Sequence, residues 1–230
     1  MAILPIITAP DSRLKVQCDR VEEVTPEVVD LMDDMLDTMY VAPGIGLAAP
    51  QVGVQQRIIV ADVSKEEGER EPHQMVNPEI LWTSEELFEY EEGCLSLPEQ
   101  YADVIRPKQV RIKYLDKTGC SRIIEVEDLL SVCLQHEVDH LDGILFVDHI
   151  SKIKRSVIMR KLNKMKKLIS RRDYFMVLEA AGIEDRHTAA VEVVNSATGV
   201  LVGLKDLHDA HPVVKLLGDA IPKNRLGLLI

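Results

Sequence analysis

Residues 136–140 read His136-Glu137-Val138-Asp139-His140, two histidines four positions apart with a glutamate directly after the first. On a helix, positions i and i+4 share a face one turn apart, so both imidazoles can reach a single metal ion. The glutamate then lies beside that ion, where it can take a proton from a bound water. Such a pair supplies two ligands, and a catalytic centre needs a third and an open position. His149 is nine residues beyond His140, outside the same helical turn, and no HExxHxxGxxH pattern follows.

The preferred third ligand lies upstream, in Glu92-Gly93-Cys94-Leu95-Ser96-Leu97-Pro98. A glycine before a cysteine permits close backbone approach, and a thiolate is a strong ligand for first-row metals. Taken alone, a lone cysteine is more often core filler. A Cys/His₂ set read from residue types points to zinc, although that donor set does not decide between zinc and iron. A third segment, Gly44-Ile45-Gly46-Leu47-Ala48-Ala49-Pro50-Gln51, follows a predicted helix and offers bare backbone and one uncharged amide. It lacks the third glycine and the preceding strand of a dinucleotide fingerprint. By itself it reads as a tight packing turn.

These three segments, GIGLAAPQ, EGCLSLP and QHEVDHLDG, in this order, resemble the signature motifs of the peptide deformylases. The resemblance runs from about Ile3 to Arg172, and the sequence from Tyr174 onward matches nothing in that family. It implies that Cys94, His136 and His140 hold the metal, Fe(II) by preference, with Zn, Ni or Co able to substitute. It further implies that a water on the metal is the nucleophile and that Glu137 is general base and then general acid. Gln51 and the Leu95 backbone N–H would meet the developing oxyanion beside the metal. The substrate would be the N-terminal formyl-methionine of nascent proteins, and formate the product. A formyl group has no side chain, so a crowded site can admit it and exclude larger acyl groups.

The same resemblance implies that the peptide binds extended, along Gly44, Ile45 and Gly46 and the stretch Glu92-Gly93-Cys94. The methionine pocket would be walled by Ile45, Tyr90, the stem of Glu92, Leu129, Val132, Cys133 and the face of His136. Leu129, Val132 and Cys133 stand within two turns before His136, so helix geometry alone brings them near the metal. Tyr101 stands where enterobacterial relatives carry arginine, and Pro50 where some carry threonine. Asp139 and Arg106 are expected to pair and hold the central helix.

The elements that must position these residues are legible around them. Thr25-Pro26 is an N-cap followed by proline, and Val28, Leu31, Met32, Met35, Leu36 and Met39 recur at helical spacing up to Pro43-Gly44. Gln56–Val63 reads as a buried strand, Glu66–Pro72 as a loop, and Asn77–Trp82 and Glu86–Glu91 as short strands. Val110–Leu115 and Arg122–Val126 flank a turn at Asp116–Gly119 as a hairpin. Asp128–Leu141 is a buried helix stopped at Gly143. Residues 151–172 form an amphipathic helix. The whole is expected to be α+β: small, mostly antiparallel sheets around the HExxH helix, with an N-terminal helix and a basic C-terminal one. Residues 1–173 would form the metal-dependent domain and 174–230 an extension. In that extension a hairpin over 189–204 and a short helix over 209–217 are expected; His208 and His211 are set aside as a second metal pair.

Composition limits the alternatives. The 230 residues carry a formal net charge of −11, with 46% hydrophobic and only 4% aromatic residues. Residues 152–172 hold ten of the 27 Lys/Arg and no Asp or Glu, which leaves 17 basic against 38 acidic residues elsewhere. A basic helix on an acidic body implies a local anionic partner. In bacterial relatives such helices dock on the ribosome, so that role near the peptide exit is expected, with no membrane and no DNA partner. No apolar run approaches the ~20 residues of a membrane span. The start lacks the pattern of a secretory signal. Cys18, Cys94, Cys120 and Cys133 form no CxxC pair, as expected for reduced thiols in the cytoplasm. Three of them, all but Cys94, read as core fillers. Two rival functions remain: a metalloprotease on the same helix, which lacks its downstream ligand, and a catalytically silent ribosome-binding module, which would not need an intact ligand set.

Overall fold

Strand β2 (Ile58–Ala61) is buried on both faces, and its alternation divides the core in two. Ile58 and Val60 join Met32, Met35, Leu36 and Met39 of helix α1 (Pro26–Val41), with Leu47 and Val76. Ile59 and Ala61 join Val132, Cys133, Leu134, Val138 and Leu141 of helix α2 (Asp128–Leu141), with Met75, Val110 and Ile112. A sheet is thus packed between two helices. Each fully buried methionine of α1 contributes about 1.5–3 kcal/mol relative to exposure. With so few aromatics, this packing of Met, Ile, Val and Leu is the main source of stability.

The structure, a computed structural model, describes residues 2–64 and 70–180, with backbone alone beyond residue 167. Five antiparallel strands form the main sheet in the order β1-β2-β3-β6-β7: β1 (Gly46–Ala48), β2, β3 (His73–Thr83), β6 (Gln109–Leu115) and β7 (Ser121–Glu127). A separate hairpin pairs β4 (Leu87–Cys94) with β5 (Leu97–Pro107). Helix α3 spans Lys152–Ala180. By internal packing the chain divides between Asn163 and Lys164, inside α3.

The α+β expectation holds, as do the N-terminal and C-terminal helices and the bounds of α2. Gly143 follows α2 at φ +70°, the left-handed position that stops the helix. A side chain there would also meet the Lys15 backbone at 2.7 Å. Other bounds shift. The strand expected over Gln56–Val63 shortens to Ile58–Ala61, and that over Asn77–Trp82 lengthens to His73–Thr83. At Asn77 the strand bulges, and the side chain accepts from Val21 N–H at 2.9 Å and donates to Val21 C=O at 2.8 Å. Strand β5 was not foreseen, because Pro98, Pro107 and its many polar residues hide the alternation. The basic helix continues past 172 to Ala180. Cys120 corrects the reading of three filler cysteines: it is exposed, in the turn before β7, whereas Cys18 and Cys133 are buried. The hairpin over 189–204, the helix over 209–217, His208 and His211 lie outside the described residues, as do residues 65–69 of the expected loop.

Asp148 ties the chain N-terminus to the start of α3. Its carboxylate accepts from Lys15, from Arg155 Nε at 3.0 Å and from Leu145 N–H at 2.9 Å. Burial works to raise its pKa, but the Lys15 and Leu145 hydrogen bonds and the two cations outweigh it and hold the carboxyl below its ordinary value. A depressed folded-state pKa adds stability that is complete above the unfolded value of about 3.9 and lost as the pH falls through the folded one. Asp148→Asn is expected to cost about 1 kcal/mol near neutral pH, allowing for solvent screening. The difference between the two proteins should shrink below about pH 4, as read by urea denaturation across pH.

Candidate metal centre

Helix α2 is buried almost all round from Ser131 to Leu141, so its polar residues face protein rather than water. His136 and His140, one turn apart, have ring centroids 5.0 Å apart. The end of β4 brings Cys94 to them: its Sγ lies 3.2 Å from His140 Nε2. One ligand atom from each of Cys94, His136 and His140 falls within 4.8 Å of the other two, and all three residues are buried. Among the described residues, His136 Nε2, His140 Nδ1 and both Glu137 oxygens are buried without a hydrogen-bond partner. Buried polar atoms are seldom left so, and such orphans call for an explanation. A divalent ion with a water fits His136 Nε2 and the Glu137 oxygens: the donors are a thiol and two imidazoles, with His140 Nε2 turned to Cys94, and the glutamate follows His136 in the chain. The triad is a metal-binding set.

Without a metal the electrostatics are adverse. Burial, and then the Glu137 charge, pushes the Cys94 thiol up; burial pushes the Glu137 carboxyl well up, with the Glu92 charge adding. Burial and His136 push His140 well down. Each direction keeps the groups neutral in a dry pocket, and a cation would reverse the logic for thiol and carboxyl.

Neighbouring side chains hold the ligands. Gln51 sits in the 3₁₀ turn Ala49–Val52 after β1. Ala48 N–H donates to its Oε1 at 2.7 Å, which turns its NH₂ toward Ser96 Oγ at 3.2 Å and Cys94 Sγ at 3.6 Å. The Glu92 side chain is 0% exposed and accepts from His136 Nδ1 at 2.8 Å and from Arg106 Nε and Nη2 at 2.5 and 3.0 Å. Burial works to raise the Glu92 pKa, but these bonds hold it below the ordinary value. The expected wall residue thus spends its carboxylate on orienting a ligand, fixing which imidazole nitrogen faces the metal. Arg106 also donates to Asp139 through Nη1 at 2.8 Å, the pairing expected from sequence.

The other foreseen residues lie on the elements that carry the triad or pack against them. Ile45, Val132 and Cys133 share one core cluster, with Tyr90 and Leu129 packed partly buried against it. Leu95 lies in the turn between β4 and β5, against Gly44, and Gly93 pairs with Tyr101. Gly46 resolves the question left by its segment. A Cβ there would meet Glu137 Oε1 at 2.4 Å and Cys133 Sγ at 2.9 Å, so what approaches the bare backbone is the glutamate itself. Gly46→Ala is expected to displace the Glu137 carboxylate from its present position and to crowd Cys133. We expect about a hundredfold loss of kcat and a destabilisation of about 1–3 kcal/mol, measured by steady-state kinetics and thermal melts. Sequence reasoning missed the orienting role of Glu92, the support from Ser96, and a contact of His149 with Asp139; each joins residues ten to 45 positions apart, and spacing carries no signal for them.

The family model for polypeptide deformylase matches residues 3–156, well over half of the chain. The chain belongs to the polypeptide deformylase family. It is 55% identical over 171 residues to the peptide deformylase of Methylocella silvestris, covering 73% of this chain and 87% of that one. The Agrobacterium fabrum peptide deformylase is 49% identical over 164 residues, covering 71% of this chain and 96% of its own length. Among solved structures, the Ehrlichia chaffeensis deformylase in complex with actinonin superposes with a TM-score of 0.69 at 40% identity, covering 72% of this chain and 98% of that one. The Legionella pneumophila deformylase gives 0.68 at 45% identity, covering 74% and 99%. Membership makes this deformylase an enzyme, a metal-binding hydrolase. Among its described residues no helix is long and apolar enough to cross a membrane.

Proposed function

We propose that this deformylase removes the formyl group from the N-terminal formyl-methionine of newly made proteins, releasing formate, with Glu137 as the proton-transferring residue. The observation that carries the reading is the buried Glu137 carboxylate, next in sequence to His136 of the Cys94/His136/His140 set and without a hydrogen-bond partner among the described residues. Cys94, His136 and His140 would hold a divalent ion, Fe(II) for preference. When bound, that ion supplies an acidified water and an electrophile for the formyl oxygen.

The rest falls to the protein. Glu137 takes the proton of the attacking water and returns it to the departing amine nitrogen, as base and then acid. The Gln51 NH₂, already turned inward by Ala48, and the Leu95 N–H stabilise the negative oxygen that develops. The backbone of Gly44, Ile45 and Gly46 and of Glu92 and Gly93 takes the extended peptide as an added strand. Ile45, Tyr90, Leu129, Val132 and Cys133 give the methionine side chain an apolar wall. Residues 1–173 carry this activity and 174–230 form an extension. The basic stretch 151–172 docks the enzyme on ribosomal RNA in the cytoplasm, where phosphates reward ten cationic side chains.

The test is formate release from an N-formyl-methionyl peptide by protein purified anaerobically with Fe(II). Rapid release is expected, with none from the N-acetyl peptide and none after chelation of the metal. Absence of release from metal-loaded protein would overturn the reading.

A further inference from the structure

His149 lies just after the 3₁₀ turn Phe146–Asp148 and three residues before α3 begins at Lys152. Its Nε2 donates to Asp139 Oδ2 at 2.7 Å. The same oxygen accepts from Arg106 Nη1 at 2.8 Å. Arg106 in turn grips Glu92 through Nε and Nη2, and Glu92 Oε2 accepts from His136 Nδ1 at 2.8 Å. Side-chain exposure rises along this line from 0% at Glu92 through 5% at Arg106 and 19% at Asp139 to 36% at His149. A continuous hydrogen-bonded chain therefore leads from the surface to a metal ligand, crossing three elements: the turn before α3, helix α2 and the β4–β5 hairpin.

We propose that His149 is a positioning residue for the metal centre, acting on His136 through Asp139, Arg106 and Glu92. The physical reason is the geometry of Asp139. Its Oδ2 has two donors on different elements, and Arg106 offers a planar fork whose direction depends on where that oxygen stands. Without His149, Asp139 is anchored from one side only, on a partly exposed stretch where water competes. The Nη1 end of Arg106 is then less firmly fixed, and so is its fork on the Glu92 carboxylate that orients His136. An exposed ion pair considered by itself contributes little; a link in a largely buried network contributes through what it orders. The inference rests on the reading of Cys94, His136 and His140 as the metal ligands.

The experiment uses the full chain loaded with Co(II), comparing the native protein with His149→Ala and His149→Gln. The readouts are the visible Co(II) absorption, the rate of metal release to a chelator, and the melting of the metal-free proteins. Removal of a residue that directly supports a ligand weakens metal binding by about 10–100-fold, so the outer link is expected to speed release by about three- to tenfold. His149→Ala should also change the Co(II) band, and His149→Gln, whose amide can donate to Asp139, should restore both. Unchanged release and spectrum in His149→Ala overturn the proposal, including the case where only the melting temperature moves, which marks a merely structural pair. Equal loss in both variants overturns it too, because the hydrogen bond is then not what matters. Failure of the native protein to hold Co(II) sinks the metal reading, and the proposal with it, and is recognised separately.

Discussion

Glu137→Gln is expected to lower kcat about a thousandfold while the metal stays bound. The substitution keeps size and shape and removes only basicity. Cys94, His136 and His140 are untouched, so metal content and KM should change little. What is lost is the group that accepts the proton of water and returns it to the amine. The metal-free protein gives an independent sign. There Glu137 is fully buried, with its pKa driven well up by burial and by the Glu92 charge, and neither oxygen has a partner among the described residues. A neutral amide in that position costs no charge burial, so the metal-free variant should melt no lower than the native protein, and higher where the carboxyl would ionise. A residue that is adverse for stability and needed for rate is the pattern expected where function constrains a site. Full activity in Glu137→Gln would remove Glu137 from the mechanism; loss of metal would mean that it supports the ligands instead.

Glu92→Gln carries the second large effect, in stability as well as in metal binding. Arg106 is 5% exposed and its Nε and Nη2 both rely on Glu92. Breaking one side of a buried ion pair costs about 3–5 kcal/mol, because the other charge is left uncompensated. We expect the lower end, about 3 kcal/mol, since Asp139 still holds Nη1. The amide oxygen can still accept from His136, so metal affinity should fall by about tenfold, at the mild end for a residue that orients a ligand. Denaturant melts of the metal-free protein and chelator competition report the two effects separately. Adding Arg106→Met should return part of the stability and none of the affinity. If the double variant recovers both, the two roles assigned to Glu92 are one.

The sequence alone determined what depends on local periodicity and side-chain chemistry. The helical spacing of His136 and His140, the apolar positions around them and Gly143 after them set α2 to its observed bounds. Met32, Met35 and Met39 marked the buried side of α1 in the same way, and three short motifs marked the ligand set and the family. Local pattern failed where an element's reason lies elsewhere in the chain. Strand β5 has prolines at Pro98 and Pro107 and many polar residues, and it forms because Tyr101–Pro107 pairs continuously with β4. Gly46 is bare because Glu137, 91 positions later, fills the space its side chain would need. Glu92 looked like a stem lining a pocket, and only the approach of Arg106 and His136 gave its carboxylate a role. His149 lay too far along the chain to share a helical turn with His140, yet the turn before α3 folds it back to Asp139. Periodicity reports which face of an element is apolar; partners of a buried charge are chosen by packing across dozens of residues, and only the tertiary structure decides them.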